Sequence, residues 1–173
     1  MIMSKKWAMP NKETFKIKPI NEIITRYIEE TQAKRIADPF VRNSPFKHLC
    51  YSNDIDPNII ANRNMDGLDF LKSIKSRSAD LILFDPPYSP RQVSECYRKL
   101  DKTVNMQTTQ SIFWTNFKKE IARTLKNGGC VISCGWNSGG IGKGLGFVQT
   151  EILLVAHGGW HNDTIVVVER LEL

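Results

Sequence analysis

The sequence predicts an α/β domain with a mostly parallel sheet, and three observations carry that expectation. Leu81 to Phe84 is an unbroken apolar run, the pattern of a strand buried on both faces, and it stops abruptly at Asp85-Pro86-Pro87-Tyr88. Strand-like and helix-like segments alternate before and after it. The chain closes on two strand-like stretches, Phe147–Ala156 and Thr164–Leu171, joined by a turn at 157–163. Hairpin strands run antiparallel, so the last strand is reversed in an otherwise parallel sheet.

The elements follow in chain order. Residues 1–20, with Lys5-Lys6-Trp7-Ala8-Met9-Pro10 followed by Phe15, Ile17 and Ile20 among lysines, predict an extended arm. Asn21 is a helix cap for Glu22 to Lys34, which places Ile23, Ile24, Tyr27 and Ile28 on one face. A short strand at 35–38 leads into the turn-rich Asp38-Pro39-Phe40-Val41-Arg42-Asn43-Ser44-Pro45-Phe46. Residues 49–54 predict a second strand, and Asp54-Ile55-Asp56-Pro57 the start of a helix. A short third strand precedes Met65, and Asp69-Phe70 falls near another helix start. After the central strand, 89–109 reads as a helix and a mobile loop. Phe113, Phe117, Ile121 and Leu125 recur at helical spacing over 110–126. Asn127-Gly128-Gly129 ends that helix, 130–136 is a strand, and the five glycines of 137–146 make a loop.

Length and composition bound the function. At 173 residues the expectation is one domain, 1–173, with no separate target-recognition domain. Hydrophobic content of 41% and charged content of 24% are those of a soluble globular protein. A net charge of +6 leans toward a polyanionic partner. No signal peptide or membrane-spanning run is apparent, which gives a cytoplasmic expectation with no membrane partner. Cys50, Cys96, Cys130 and Cys134 lack zinc-like grouping, so no metal site is expected. Cys130 and Cys134 share a strand at a separation of about 13 Å, too far for one disulfide, and read as reduced core thiols.

The chemistry centres on Asp85-Pro86-Pro87-Tyr88. A proline disfavours helical geometry in the residue before it, so Asp85 and Pro86 are held extended at a strand's carboxyl end, where open α/β sheets bind ligands. The exocyclic amine of adenine is a poor nucleophile because its lone pair is delocalised into the ring. The Asp85 carboxylate and the Pro86 carbonyl can each accept one of its N–H bonds, pulling the nitrogen toward tetrahedral geometry. Tyr88 can stack on the flipped base. Such catalysis comes from positioning and fixed dipoles.

This motif resembles the [DNS]-PP-[YFW] signature of S-adenosylmethionine-dependent amino methyltransferases, and the resemblance extends along the chain to DNA adenine-N6 methyltransferases of a compact, phage-type, Dam-like kind. It implies a Rossmann-like class I methyltransferase fold, a seven-stranded sheet of order 3-2-1-4-5-7-6. It implies S-adenosyl-L-methionine as cofactor. Asp38-Pro39-Phe40 is similar to the acid-Pro-Phe motif that opens the family's cofactor site. Asp54 matches the acid that accepts the ribose hydroxyls. Asp69-Phe70-Leu71 resembles the family's Asp-Phe-Leu, whose acid meets the cofactor's adenine amine and whose aromatic packs on the ring, with Asp66 as the alternative acid. Lys6-Trp7-Ala8 is similar to the amino-terminal element that closes over the methionine end. The chain departs from the family at Arg42, Asn43 and Ser44, where glycines are the rule.

The reading is methyl transfer to the N6 amine of adenine in DNA by base flipping, in a bacterial or phage-infected cell. Arg91, Arg98, Lys99, Lys143 and His161 are the expected substrate-binding rim, with Lys102 beside them. The alternatives are an RNA base or a protein glutamine as acceptor, and a catalytically degenerate fold that binds nucleic acid. A homodimer or a partner subunit supplying specificity is the expected assembly.

Overall fold

The computed structural model describes residues 1–87 and 111–173, with Ser94 and Arg98 between them. Seven strands form one sheet: β1 Ile2–Trp7, β2 Ile36–Asp38, β3 Cys50–Ser52, β4 Ala79–Phe84, β5 Leu125–Gly135, β6 Phe147–Ala156 and β7 Thr164–Leu171. Their order is β1-β6-β7-β5-β4-β2-β3. Only β7 runs antiparallel to its neighbours; the remaining pairings are parallel. The expected class, a mostly parallel seven-stranded Rossmann-like sheet with a reversed last strand, is what the chain adopts.

The two edges differ from expectation. The third strand is reduced to a single bridge between Asn53 and Arg63. Its place and that of the helix expected from Asp54 are taken by turns, because side-chain amides satisfy the backbone locally. Asn64 Nδ2 donates to the carbonyls of Asp54, Asp56 and Ile59, and Asn62 Oδ1 accepts from the Ser52 N–H and hydroxyl. At the other edge the supposed arm is a strand: β1 pairs in register with β6, from Ile2 opposite Glu151 to Trp7 opposite Ala156.

Three helices cover the sheet among the described residues: α1 Lys18–Thr31, α2 Gly67–Ser73 and α3 Ser111–Thr124. The first helix starts three residues before Asn21, because Pro19 occupies the first turn, where its missing N–H costs nothing. Asn21 lies inside it and donates to the Phe15 carbonyl. The helix ends at Gln32, in the left-handed conformation. Its Ile20, Ile23 and Ile24 pack on Ile36, Leu81, Leu83 and Ile132. On the other face, Phe70 and Leu71 of α2 and Phe117 and Ile121 of α3 pack on Ile82, Phe84 and Val131. Each such side chain contributes about 1.5–3 kcal/mol of burial energy. Cys50, Cys130 and Cys134 are free buried thiols, and the last two share β5 as expected.

The glycine-rich loop is anchored by a buried acid. Glu169 of β7 is inaccessible to solvent and accepts the N–H groups of Ile141 and Gly142. Gly140 lies so close to this carboxylate, with φ +54°, that a Cβ there would clash with Glu169. The loop then runs to Gly146, whose carbonyl accepts from Glu172 beyond the end of β7.

Candidate active site

The chain leaves β2 for β3 on one side and returns through α2 to β4 on the other. The strand order therefore reverses between β2 and β4, and in an open α/β sheet the crevice outside the carboxyl ends at such a point is where ligands bind. Asp38 is the last residue of β2 and Asp85 the first after β4. Strand alternation puts both on the face that α1 covers, in line with Ile36 and with Leu81 and Leu83. The same alternation adds Cys134 at the end of β5, Thr164 at the start of β7 and His157 after β6. One buried polar side chain from each of five neighbouring strands thus lines the carboxyl edge.

Asp38 is a strongly perturbed acid of this row. It is 0% exposed; Oδ1 accepts from the Phe40 N–H at 3.0 Å, and Oδ2, buried as well, has no hydrogen-bond partner. Burial raises its pKa to about 8 against the lowering effect of the Phe40 bond, and the nearby charges of Asp85 and Asp54 push the same way. At neutral pH the carboxyl is mostly protonated. The apolar surroundings are visible in Cys134 too, whose thiol burial pushes up, with Asp85 and Asp38 adding to it.

The loop after β2 folds back over the crevice. The Val41 N–H donates to the Asn53 carbonyl, and the Arg42 N–H to Asp54 Oδ2 at 3.0 Å. The other Asp54 oxygen accepts from the Asp56 N–H. Asp54 thus lies near Asp38, with each oxygen already bonded once. Arg42 adopts a left-handed backbone, φ +42°, the conformation the family's glycines would supply. Its guanidinium extends to Asp85, Nη2 to Oδ2 3.6 Å, and donates from Nη1 to the Lys12 carbonyl at 3.1 Å.

Other expected residues divide. Pro86 is buried and Pro87 half-buried beside Asp85. Phe40 packs on the opposite face of the sheet, with its ring 5.9 Å from Phe84 and 5.5 Å from Phe117. Phe70 is a correction: it is wholly buried in the core, under Tyr51 at 5.1 Å, so it is not placed to stack on a bound nucleoside. Asp69 is a second: its side chain is exposed and paired with Lys72 one turn on. The alternative acid, Asp66, caps α2 by accepting the Leu68 N–H. Trp7 ends β1 and is largely exposed, near Gly158.

The substrate rim is only partly visible. Tyr88, Arg91, Lys99 and Lys102 lie outside the described residues; Arg98 is helical and exposed. His161 is exposed in the turn between β6 and β7, at the carboxyl edge. Lys143 is a third correction. The bonds from Glu169 and Glu172 draw its loop toward the amino edge of the sheet, away from Asp85.

Three residues were missed. Buried Asn53 donates to the carbonyls of Pro39 and Met65 and accepts the Met65 N–H, stitching the β2 loop to the segment before α2. His157 bridges the Ala8 carbonyl through Nδ1 and the Thr164 hydroxyl through Nε2, both at 2.9 Å. A carbonyl only accepts, so Nδ1 carries the proton. Arg42 appeared in the sequence only as a lost glycine. The signal for it was there: a long cation in a turn between two strand-end acids.

No metal-binding cluster occurs among the described residues, and no described helix is long and apolar enough to cross a membrane. No protein-family model matches the chain, and no curated protein matches it in sequence. Solved structures match its fold. TrmN from Thermus thermophilus aligns with a TM-score of 0.59 at 16% identity, over 90% of this chain and 49% of its own, so this chain spans about half of that protein. The N-methyltransferase NodS from Bradyrhizobium japonicum WM9 aligns with a TM-score of 0.60 at 10% identity, over 95% of this chain and 100% of its own. The 1,6-didemethyltoxoflavin-N1-methyltransferase of Burkholderia thailandensis, solved with S-adenosylhomocysteine bound, gives 0.60 at 9% identity, over 90% of this chain and 78% of its own. The chain has the Rossmann-like class I fold of S-adenosylmethionine-dependent methyltransferases.

Proposed function

We propose that the chain is an S-adenosylmethionine-dependent methyltransferase acting on the N6 amine of adenine in DNA. The observation that carries the proposal is the Asp85-Pro86-Pro87 shelf at the carboxyl end of β4, directly across the crevice from Asp38. Two of the structural neighbours are by name N-methyltransferases of small molecules or nitrogen centres, which supports a nitrogen acceptor without choosing which one.

The crevice fits the cofactor on its own chemistry. Asp38 Oδ2 is a buried polar atom without a hydrogen-bond partner, which a polar group of the cofactor would satisfy. Asp54 keeps a lone pair on each oxygen for hydroxyl donors. When bound, S-adenosylmethionine supplies an electrophilic methyl group. The protein's part is orientation. The Asp85 carboxylate and the Pro86 carbonyl accept the two N–H bonds of the target amine, and burial keeps water from competing for either acceptor. Tyr88, next along, is assigned to stack on the extruded base.

One observation favours a second reading. The Arg42 guanidinium pairs with Asp85, the carboxylate assigned to the substrate amine, as a degenerate fold that binds nucleic acid without chemistry would allow. Methyl transfer from labelled cofactor to DNA, RNA and protein in parallel separates these. Label in N6-methyladenine of DNA is the expected outcome. Label in RNA or protein moves the acceptor, and none in any substrate leaves the binding reading.

A further inference from the structure

The amino-terminal segment crosses the candidate site. Its first anchor is the Ala8 carbonyl, held by His157 at the end of β6. Its second is the loop after β2: Arg42 holds the Lys12 carbonyl, and the Asn43 N–H and side-chain amide donate to the Glu13 carboxylate at 3.3 and 3.4 Å. Between those anchors lie the ends of β7, β5 and β4. The segment between the anchors runs from the β6 side of the sheet to the β2 side and turns at its far end, where Asn11 Oδ1 accepts the Glu13 N–H.

Arg42 belongs to the second anchor. Its side chain is 44% exposed, against 6% for Asp85, so the guanidinium is reached from solvent and the carboxylate is not. At 3.6 Å its contact with Asp85 is longer than a close charge-assisted hydrogen bond, which is found near 2.7–2.9 Å. The surroundings are acidic: Asp38, Asp54 and Asp85 converge there. A ligand that carries an α-carboxylate into such a crevice needs a cation, and a planar guanidinium binds a carboxylate through two parallel hydrogen bonds.

We propose that Arg42 is the binding residue for the amino-acid carboxylate of the cofactor. It exchanges Asp85 for that carboxylate when the ligand enters. The inference rests on the methyltransferase reading and deepens it. Arg42 and Asp85 form an ion pair at 3.6 Å. With an amino-acid-bearing ligand in place, the guanidinium is drawn to the ligand and Asp85 is released to accept the substrate amine. Readiness for substrate is thereby tied to occupancy of the cofactor's amino-acid end. The arginine supplies what a glycine at that position could not, at the cost of a left-handed backbone.

Titration calorimetry with two nucleosides tests this. S-adenosylhomocysteine carries the amino acid, and 5′-methylthioadenosine keeps the nucleoside and thioether without it. Arg42→Gly suits the left-handed backbone, and its melting curve is recorded alongside to show that it is folded. It is expected to bind S-adenosylhomocysteine about tenfold more weakly or worse, yet to bind 5′-methylthioadenosine within twofold of the parent. Arg42→Lys should recover part of the loss, because it restores charge without the fork. Equal weakening for both nucleosides, or undiminished affinity for S-adenosylhomocysteine, would overturn the assignment while leaving the methyltransferase reading intact. A parent protein that binds neither nucleoside would overturn both.

Discussion

The two ends of β4 carry acids in opposite circumstances. Asp80, near the amino end, is a finished structural group. One oxygen accepts the N–H groups of Lys34 and Arg35, and the other pairs with Lys126. Desolvation works against its charge, but the Lys126 bond and the two N–H groups outweigh it and hold its pKa below the usual carboxylate range. At the carboxyl end, Asp85 meets Asp38 across the crevice, and Asp38 keeps a buried oxygen with no partner and a pKa raised to about 8. Folding stability explains the first arrangement and not the second. A fold under selection for stability alone would not gather like charges in a buried place, and such exceptions mark functional sites.

The largest test of this contrast is its pH dependence. Between about pH 4 and pH 8 the folded chain keeps a proton on Asp38 that the unfolded chain has lost. The native state binds more protons, so this group's stabilising contribution is whole below pH 4 and falls as pH rises through 8. The slope is about 1.4 kcal/mol per pH unit. Asp38→Asn, which imitates the neutral form, should remove that slope. Chemical denaturation of parent and variant at several pH values should show the gap widening in favour of the variant by several kcal/mol toward pH 8. Parallel curves would mean that Asp38 is an ordinary ionised acid.

The opposite end predicts the opposite sign. Asp80→Ala strips acceptors from two backbone donors and Lys126, and should destabilise the protein by about 2 kcal/mol. Because the pKa of Asp80 is lowered, its contribution is present at neutral pH and lost on acidification, so the deficit should shrink as the parent is titrated toward acid. A deficit that grows on acidification would contradict the contrast between the two ends.

A smaller effect concerns what approaches the carboxyl edge. If a nucleic acid follows the rim, replacing Arg91, Arg98 and Lys99 together with alanine should weaken DNA binding across sequences. It should also reduce the salt slope of log affinity by roughly three, with cofactor affinity unchanged. A triple variant that binds like the parent would leave Lys5 and Lys6 of β1 as the next cations to test.

What could be read from the sequence was local. The run Leu81 to Phe84 and the prolines after it act within a few residues, and so do the closing hairpin and the helical spacing of Phe117, Ile121 and Leu125; those elements are where they were expected. The misses depended on distant partners. β1 is an edge strand exposed on nearly every residue, recognisable only once β6 is beside it. The route of Lys143's loop is set by Glu169, in a strand more than twenty residues later. Asp38 and Asp54 could be named as site acids because both follow strands. That Arg42 would fold back onto Asp85 depends on a left-handed turn that arginine rarely adopts. Phe70 matched the family in sequence, but Tyr51 covers it from the neighbouring strand.

The central claim is that the carboxyl end of β4 is a methyl-transfer site, and one measurement addresses it: transfer of labelled methyl to adenine-containing DNA by the parent and by Asp85→Ala. The account predicts label in N6-methyladenine with the parent. With the variant, turnover should fall by at least about a hundredfold while S-adenosylhomocysteine affinity is kept, because Asp85 is assigned to the substrate amine. A variant that methylates DNA at the parent's rate would contradict the account.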